Sequence, residues 1–391
     1  MIPYSKQTIS ILDALYVARQ VKFKSLTQGS EIQKFEQSVA RYVGAKYAVA
    51  VSSATAGLHI AHLALGKPLN SKVVTSPISF VASANSVIYS GLTPIFIDID
   101  LSTGNLSLNK LEETLNSQDI KTVVPVHFAG TPCDMVKIHE LCNQRNISII
   151  EDAAHALGSS YETGEKIGSC KYSDLTVFSF HPVKSITTGE GGMITTNSQE
   201  LYAKLLKLRS HGIQKNDLEP SDRLLGKTGA TKNLWYYEMD SIGYHYRLTE
   251  IQASLGVSQM KKLNRFIKKR RTKALRYDKL ITNSRAMKSI NHGSRYVSAN
   301  HLFPIVIDFS KLSLGRNQLM LRLREKGIVT QVHYLPIPLH PYYQKLGYTM
   351  DDLPNAYSFY FQTLSIPIYP KLSFLKQKKV IKILNELFSK S

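Results

Sequence analysis

One lysine, Lys184, stands between an apolar run and a glycine cluster in "VFSFHPVKSITTGEGG", residues 177–192. By itself such a lysine is a solvated loop charge, and chemistry needs partners. In "NISIIEDAAHALGS" an apolar run ends in two adjacent acids. Side chains alternate along a strand, so Glu151 and Asp152 must face opposite sides, and only one can enter a crevice. A carboxylate there is costly unless it meets an arginine, a metal or a protonated heterocycle. In "AVSSATAGLHIAHLAL" the residues Ser52, Ser53, Ala54, Thr55 and Gly57 lead into Leu58, Ala61, His62 and Leu65 at helical spacing. Small hydroxyl residues at a helix start are either a plain N-cap or a seat for a phosphate.

Taken together, an amine, a carboxylate and a helix-end anion seat are the parts that hold pyridoxal 5′-phosphate. The lysine forms a Schiff base with its aldehyde, the acid keeps the ring nitrogen protonated, and the dipole end holds the phosphate. Other phosphate and metal motifs fail. There is no G-x-x-x-x-G-K-[ST], "GEGG" is not G-x-G-x-x-G, and His139 and Glu140 form no H-E-x-x-H, so no metal is expected.

These groups need elements to position them. Seven short apolar runs between about 45 and 200 ("YAVAVSS", "KVVTSP", "TPIFIDID", "TVVPVHF", "ISIIEDA", "LTVFSF", "GMITTN") alternate with helix-like segments. The spacing predicts an α/β fold with a mostly parallel sheet, whose strands' carboxyl ends line a ligand crevice. Residues 214–241 are polar, lack periodicity and read as a flap or an insertion. A second, smaller α/β region follows from about 280 to 391. The expected division is 1–248 for an N-terminal segment and large domain, and 249–391 for a linker helix and small C-terminal domain.

With 391 residues and 43% hydrophobic content, the chain can bury a substantial core. Its three cysteines, Cys133, Cys142 and Cys170, form no C-x-x-C pair, which fits a reducing cytoplasm. The opening residues have no apolar signal region and no stretch approaches the length that spans a bilayer, so no membrane partner is expected. The formal charge is +20. The densest basic stretch, "KKLNRFIKKRRTKALR" (261–276), reads as a solvated helix with Leu263, Phe266, Ile267 and Ala274 as its apolar stripe. The competing reading is a nucleic-acid or membrane patch, and no nucleic-acid module accompanies it.

In order along the chain, "LTQG", "SSATAGL", "TSPISFVASAN", "EDAAHALGS", "FSFHPVKSITTGEGG", "RSHGI", "GYHYRLTEIQASLGVSQ" and "QVHY" resemble the DegT/DnrJ/EryC1/StrS nucleotide-sugar aminotransferases. The resemblance spans nearly the whole chain. It implies a pyridoxal-phosphate-dependent transferase of fold type I, like aspartate aminotransferase, acting as a cytoplasmic homodimer with shared active sites. Lys184 would be the Schiff-base lysine, Asp152 the partner of the ring nitrogen, and His155 a neighbour of the phenolic oxygen. Phe80 would stack on the ring, and Ala54, Thr55 and Ser179 would hold the phosphate. Tyr4, Lys24, Ser25, Leu26, Thr27, His181, Gln331, Val332, His333 and Tyr334 would meet the sugar nucleotide.

One departure from the family's pattern is His245, in "GYHYR", where asparagine is usual and reaches the partner subunit's cofactor phosphate. Imidazole can donate the same bond. Members with dehydratase activity carry histidine at the lysine position, so Lys184 favours transamination. "LTQG", "TSPISFVASAN", "NHLFPI" and "QVHYLPI" look closest to members of pseudaminic acid biosynthesis. The expected reaction moves an amino group from L-glutamate, leaving 2-oxoglutarate, to C4 of UDP-2-acetamido-2,6-dideoxy-β-L-arabino-hexos-4-ulose. The rivals are another nucleotide-sugar 4-aminotransferase, such as a perosamine-type one, and a non-catalytic basic nucleic-acid-binding relative.

Overall fold

The computed structural model describes residues 1–214, 223–228, 231–282, 284, 287–290 and 297–389. Each of the seven apolar runs forms a strand: β1 (Tyr47–Val51), β2 (Lys72–Thr75), β3 (Thr93–Phe96), β4 (Ile120–Val124), β5 (Ser148–Asp152), β6 (Leu175–Ser179) and β7 (Gly192–Thr196). They make one sheet in the order β1-β7-β6-β5-β4-β2-β3. Strands β3, β2, β4, β5 and β6 run parallel, while β7 is antiparallel to both β1 and β6. The sheet is thus mostly parallel but mixed. Its strands read as continuous apolar runs because both faces are covered.

Helices α1 (Ile11–Phe23), α2 (Ser30–Val43), α3 (Ala54–Leu65), α4 (Ala82–Tyr89), α5 (Leu108–Ser117), α6 (Met135–Asn143) and α7 (Gln199–Arg209) accompany the sheet. Five of them start where an oxygen-bearing side chain can accept a first-turn N–H: Ser10, Ser53, Ser107, Asp134 and Ser198. Alternation along the strands divides the core. Ala50 and Phe178 pack with Phe35, Val39 and Ile138 on one face; Val49, Val51 and Val177 pack with Leu58, Ile60 and Leu205 on the other.

Within 214–241, residues 215–222 and 229–230 lie outside the described residues. The rest contributes β8 (Ile213–Gln214) paired with β11 (Glu238–Met239), α8 (Arg223–Gly226), and β9 (Lys227–Thr228) paired with β10 (Thr231–Lys232). Leu234 and Trp235 are exposed there.

Helix α9 (Glu250–Met260) packs on α1 and α2, and α10 (Leu263–Ile281) follows. The apolar stripe expected on α10 is buried at all four positions. Leu263, Phe266 and Ile267 join the core of the large sheet, whereas Ala274 joins the next core with Tyr277 and Ile281. That second core lies around the antiparallel sheet β12-β13-β14, made of β12 (Met287–Ser289), β13 (Phe303–Ile307) and β14 (Thr363–Ile366). Helices α11 (Arg316–Glu325), α12 (Pro341–Lys345), α13 (Pro354–Gln362) and α14 (Phe374–Ser389) complete the chain. No helix among the described residues is long and apolar enough to cross a membrane.

Candidate active site

A cavity of about 540 Å³ opens at the carboxyl ends of the parallel strands, where a doubly covered sheet leaves its loops free. The turn after β1 brings Ala54 and Thr55 to it, the turn after β2 brings Phe80, and the end of β5 brings Asp152 and His155. The end of β6 adds Ser179, His181 and Lys184. The opposite wall comes from elsewhere: Tyr4 near the amino terminus, and Gln331, Val332, His333 and Tyr334 from a segment hung on the small sheet. Gln331 and Ser365 of β14 exchange backbone hydrogen bonds at 3.1 and 2.8 Å, and Ile368 N donates to Tyr4 O at 3.0 Å.

Five of the expected residues do not line this cavity. Lys24 Nζ binds Glu31 at 2.7 Å, Gln20 Nε2 donates to Ser25 O at 2.6 Å, and Glu250 N donates to Leu26 O at 2.9 Å. Thr27 is exposed. His245 pairs with Ser210 and stacks on His211 with ring centroids 5.3 Å apart. Within one chain these residues stand apart from Lys184.

The two adjacent acids separate as strand alternation requires. Glu151 is fully buried and accepts from His127 Nε2, Tyr161 and Thr176 at 2.8 Å each and from Ser173 at 2.5 Å. Burial opposes its charge, but these bonds outweigh it and hold the carboxyl below its usual range. Asp152 has fewer partners. Ser83 Oγ donates to Oδ2 at 2.6 Å and Ala154 N to Oδ1 at 3.1 Å, and the residue borders the cavity.

Burial lowers the Lys184 ammonium to about 8, against the opposing pull of Asp152. Three imidazoles crowd the same space. Burial and then Lys184 push His333 down to about 3 and His155 well below the usual range, and His301 is pushed down likewise by burial and by His155. All three are therefore neutral at pH 7. His155 and His301 lie 4.5 Å apart between ring centroids. The Tyr334 hydroxyl sits 3.0 Å from His155 Nε2. Burial raises the Tyr334 phenol above its usual value, so it keeps its proton.

The anion seat has a structural floor. Ser53 Oγ accepts Ala56 N at 3.1 Å, capping α3, and β7 begins directly beneath it. A Cβ at Gly192 would lie 2.6 Å from the Ser53 carbonyl and 2.7 Å from Ala54 N, so the strand can pass only as glycine.

The set fits pyridoxal phosphate. It offers an amine of lowered basicity, a carboxylate with room beside it, first-turn N–H groups for a phosphate, and Phe80, a 59% exposed ring on the cavity wall. His155 Nδ1 is buried and has no hydrogen-bond partner among the described residues. Ser83 and His301 were not visible as site residues from sequence. A serine in the first turn of α4 carries no sign of its partner, and "NHLFPI" gives no sign that its histidine meets His155.

This lysine, carboxylate and helix-end seat at the carboxyl edge of a mixed, mostly parallel sheet define a pyridoxal-phosphate-dependent transferase of fold type I. Known proteins agree. The chain is 38% identical to the UDP-4-amino-4,6-dideoxy-N-acetyl-β-L-altrosamine transaminase of Campylobacter jejuni, over 100% of this chain and 97% of that one. Helicobacter pylori PseC, an aminotransferase of pseudaminic acid biosynthesis, superposes with a TM-score of 0.90 at 32% identity, covering 100% of both chains. The PLP-form of Spr1654 from Streptococcus pneumoniae gives a TM-score of 0.88 at 28% identity over 100% and 99%. Residues 10–385 match the DegT/DnrJ/EryC1/StrS aminotransferase family, and the chain belongs to it. It is an aminotransferase that uses pyridoxal phosphate.

Proposed function

We propose that the chain transfers the amino group of L-glutamate to C4 of UDP-2-acetamido-2,6-dideoxy-β-L-arabino-hexos-4-ulose, giving UDP-4-amino-4,6-dideoxy-N-acetyl-β-L-altrosamine and 2-oxoglutarate. One observation carries the reading. Lys184, Asp152 and the Tyr4 and 331–334 walls border a single cavity, in a chain similar end to end to a transaminase of that name.

Pyridoxal phosphate, when bound, supplies an electron-poor ring that carries the amino group between the two substrates. Asp152, oriented by Ser83 and Ala154, would pair with the ring nitrogen. The start of α3 with Ala54 and Thr55, together with Ser179, would hold the phosphate, while Phe80 would cover the ring and His155 would meet the phenolic oxygen; all of them line the cavity. Lys184, with its ammonium near 8, can both take and return a proton near neutral pH, so it serves as acid and base at the substrate carbon. Tyr4, His181 and Gln331 to Tyr334 bind the sugar nucleotide.

We further read the protein as a cytoplasmic homodimer. In support, Leu12, Leu15 and Phe23 of α1 and Leu234, Trp235 and Ile242 are exposed large apolar side chains that a second copy would cover. Lys24 to Thr27 and His245 then serve the partner subunit's cavity. The division at 248/249 belongs to the same reading, supported by the placement of all seven large-sheet strands before it and all three small-sheet strands after it.

The test is product analysis by NMR with glutamate and a panel of nucleotide-linked 4-keto sugars. The β-L-altrosamine product from the UDP-linked substrate is expected. Turnover confined to a GDP-linked 4-keto sugar would assign a perosamine-type enzyme instead.

A further inference from the structure

The chain carries far more positive charge than a diphosphate ligand needs, and the excess is concentrated. Helices α10 and α14 together hold twelve basic residues and two acidic ones, so half of the formal +20 lies on one pair of helices. The two pack on each other. Gln377 Nε2 donates to Lys273 O at 2.9 Å, and the Arg276 guanidinium lies 5.4 Å from the Phe374 ring, with Lys378 4.9 Å from the same ring. Around Phe374 the exposed basic side chains of the two helices therefore meet in one surface, whereas Arg270 is buried and donates to His301 O and Ile368 O, and Arg271 donates to Ser298 O and Gly158 O.

That surface carries little acid: Glu386 pairs with Lys382 at 3.7 Å, and Asp278 is the one other carboxylate on the two helices. Burial and then the adjacent Lys269, Arg276 and Arg270 hold the Lys273 ammonium down at about 8. Lys269, Arg276, Lys376, Lys378 and Lys379 are exposed, and amid them stand two exposed apolar residues, Phe374 at 42% and Leu375 at 77%. A second copy of the chain cannot cover such a face, because a two-fold contact would set positive against positive. Nucleic acid would satisfy the charge but gives an isolated leucine nothing to enter. An anionic bilayer satisfies both, with headgroups for the cations and an acyl boundary for Phe374 and Leu375.

We propose that the α10–α14 surface is a peripheral docking site for anionic lipid membranes. This departs from the sequence-based expectation of no membrane partner. It also replaces the view of residues 261–276 as a merely solvated helix. The contact is interfacial and reversible, leaves the cavity free to turn over soluble substrate, and is screened by salt.

Co-sedimentation of the full-length, cofactor-loaded protein tests it, using phosphatidylcholine vesicles with and without phosphatidylglycerol. Retention is expected only with phosphatidylglycerol and should fall with added salt. The triple variant Lys376→Gln, Lys378→Gln, Lys379→Gln should weaken it on the order of a hundredfold, and Leu375→Ala by about tenfold. Transamination in solution should be unchanged in both variants. Lys110→Gln on α5, where the lysine is already paired with Glu113 at 2.6 Å, should leave retention unchanged. The proposal is overturned if the protein ignores phosphatidylglycerol or binds neutral vesicles equally. It is also overturned if Lys110→Gln acts as strongly as the triple change, or if duplex DNA binds more tightly and strips the protein from vesicles.

Discussion

Strand β5 ends in two carboxylates of opposite fate. On one face Glu151 is enclosed by His127, Tyr161, Ser173 and Thr176, with its hydrogen-bonding capacity used inside the protein. On the other, Asp152 keeps, among the described residues, Ser83 and the Ala154 N–H and borders a cavity that Lys184 also lines. Residue type and neighbours in sequence are nearly the same. The difference is where the partners come from: a carboxylate satisfied by its own fold serves stability, whereas one left with space beside it serves a ligand.

Perturbing each side in turn breaks or sharpens that contrast. The largest effect is expected from Lys184→Ala, with transamination down by at least about 10⁴-fold and no absorbance band of the cofactor joined to lysine; steady-state kinetics and spectra check both. Asp152→Asn should cost on the order of 10²–10³-fold in rate while thermal unfolding stays near wild type. Glu151→Ala should do the reverse, leaving buried donors unpaired and lowering stability by about 3–5 kcal/mol in denaturant titrations. If Asp152→Asn proves as destabilising as Glu151→Ala, the contrast fails.

Acid should distinguish the faces too. Since Glu151 has a folded pKa below its unfolded value, its contribution is present above the ordinary carboxylate range and lost as pH falls through the folded value. Lys184 works the other way round at higher pH. Cofactor capture needs the neutral amine, so the rate of pyridoxal phosphate uptake by cofactor-free protein should rise with pH through a midpoint near 8, not near the ordinary lysine value. A stopped-flow pH series reads this directly. The smallest effects belong to the periphery of the site: Phe80→Ala and His245→Ala should each weaken cofactor retention by about tenfold, measured by equilibrium dialysis. Unchanged affinity in His245→Ala would mean that the histidine does not make the partner's phosphate contact.

Much of this was legible in the residues. All seven strands of the large sheet coincide with apolar runs, because a doubly covered sheet writes itself as continuous Val, Ile and Leu rather than as alternation. Lys184, Asp152 and the Ser53–Thr55 turn were readable since each sits where such a run stops. What was not legible is what depends on chain ends meeting in space. Nothing in "ASANSV" tells that Ser83 reaches Asp152, 69 residues away, and nothing in "NHLFPI" sets His301 beside His155. The basic helix was seen as half of a surface; the other half, α14, lies about a hundred residues further on, and only packing joins them. Lys24 to Thr27 were expected at the sugar nucleotide through resemblance, and a single chain holds them elsewhere.

The close approach of Gly192 to the Ser53 carbonyl links two tasks that are usually separable. The residue that lets β7 pass beneath the turn after β1 also sets the height of the platform under the phosphate, so any added methyl group would lift that platform. Damage there should appear first as a protein that still folds but leaks its coenzyme during purification.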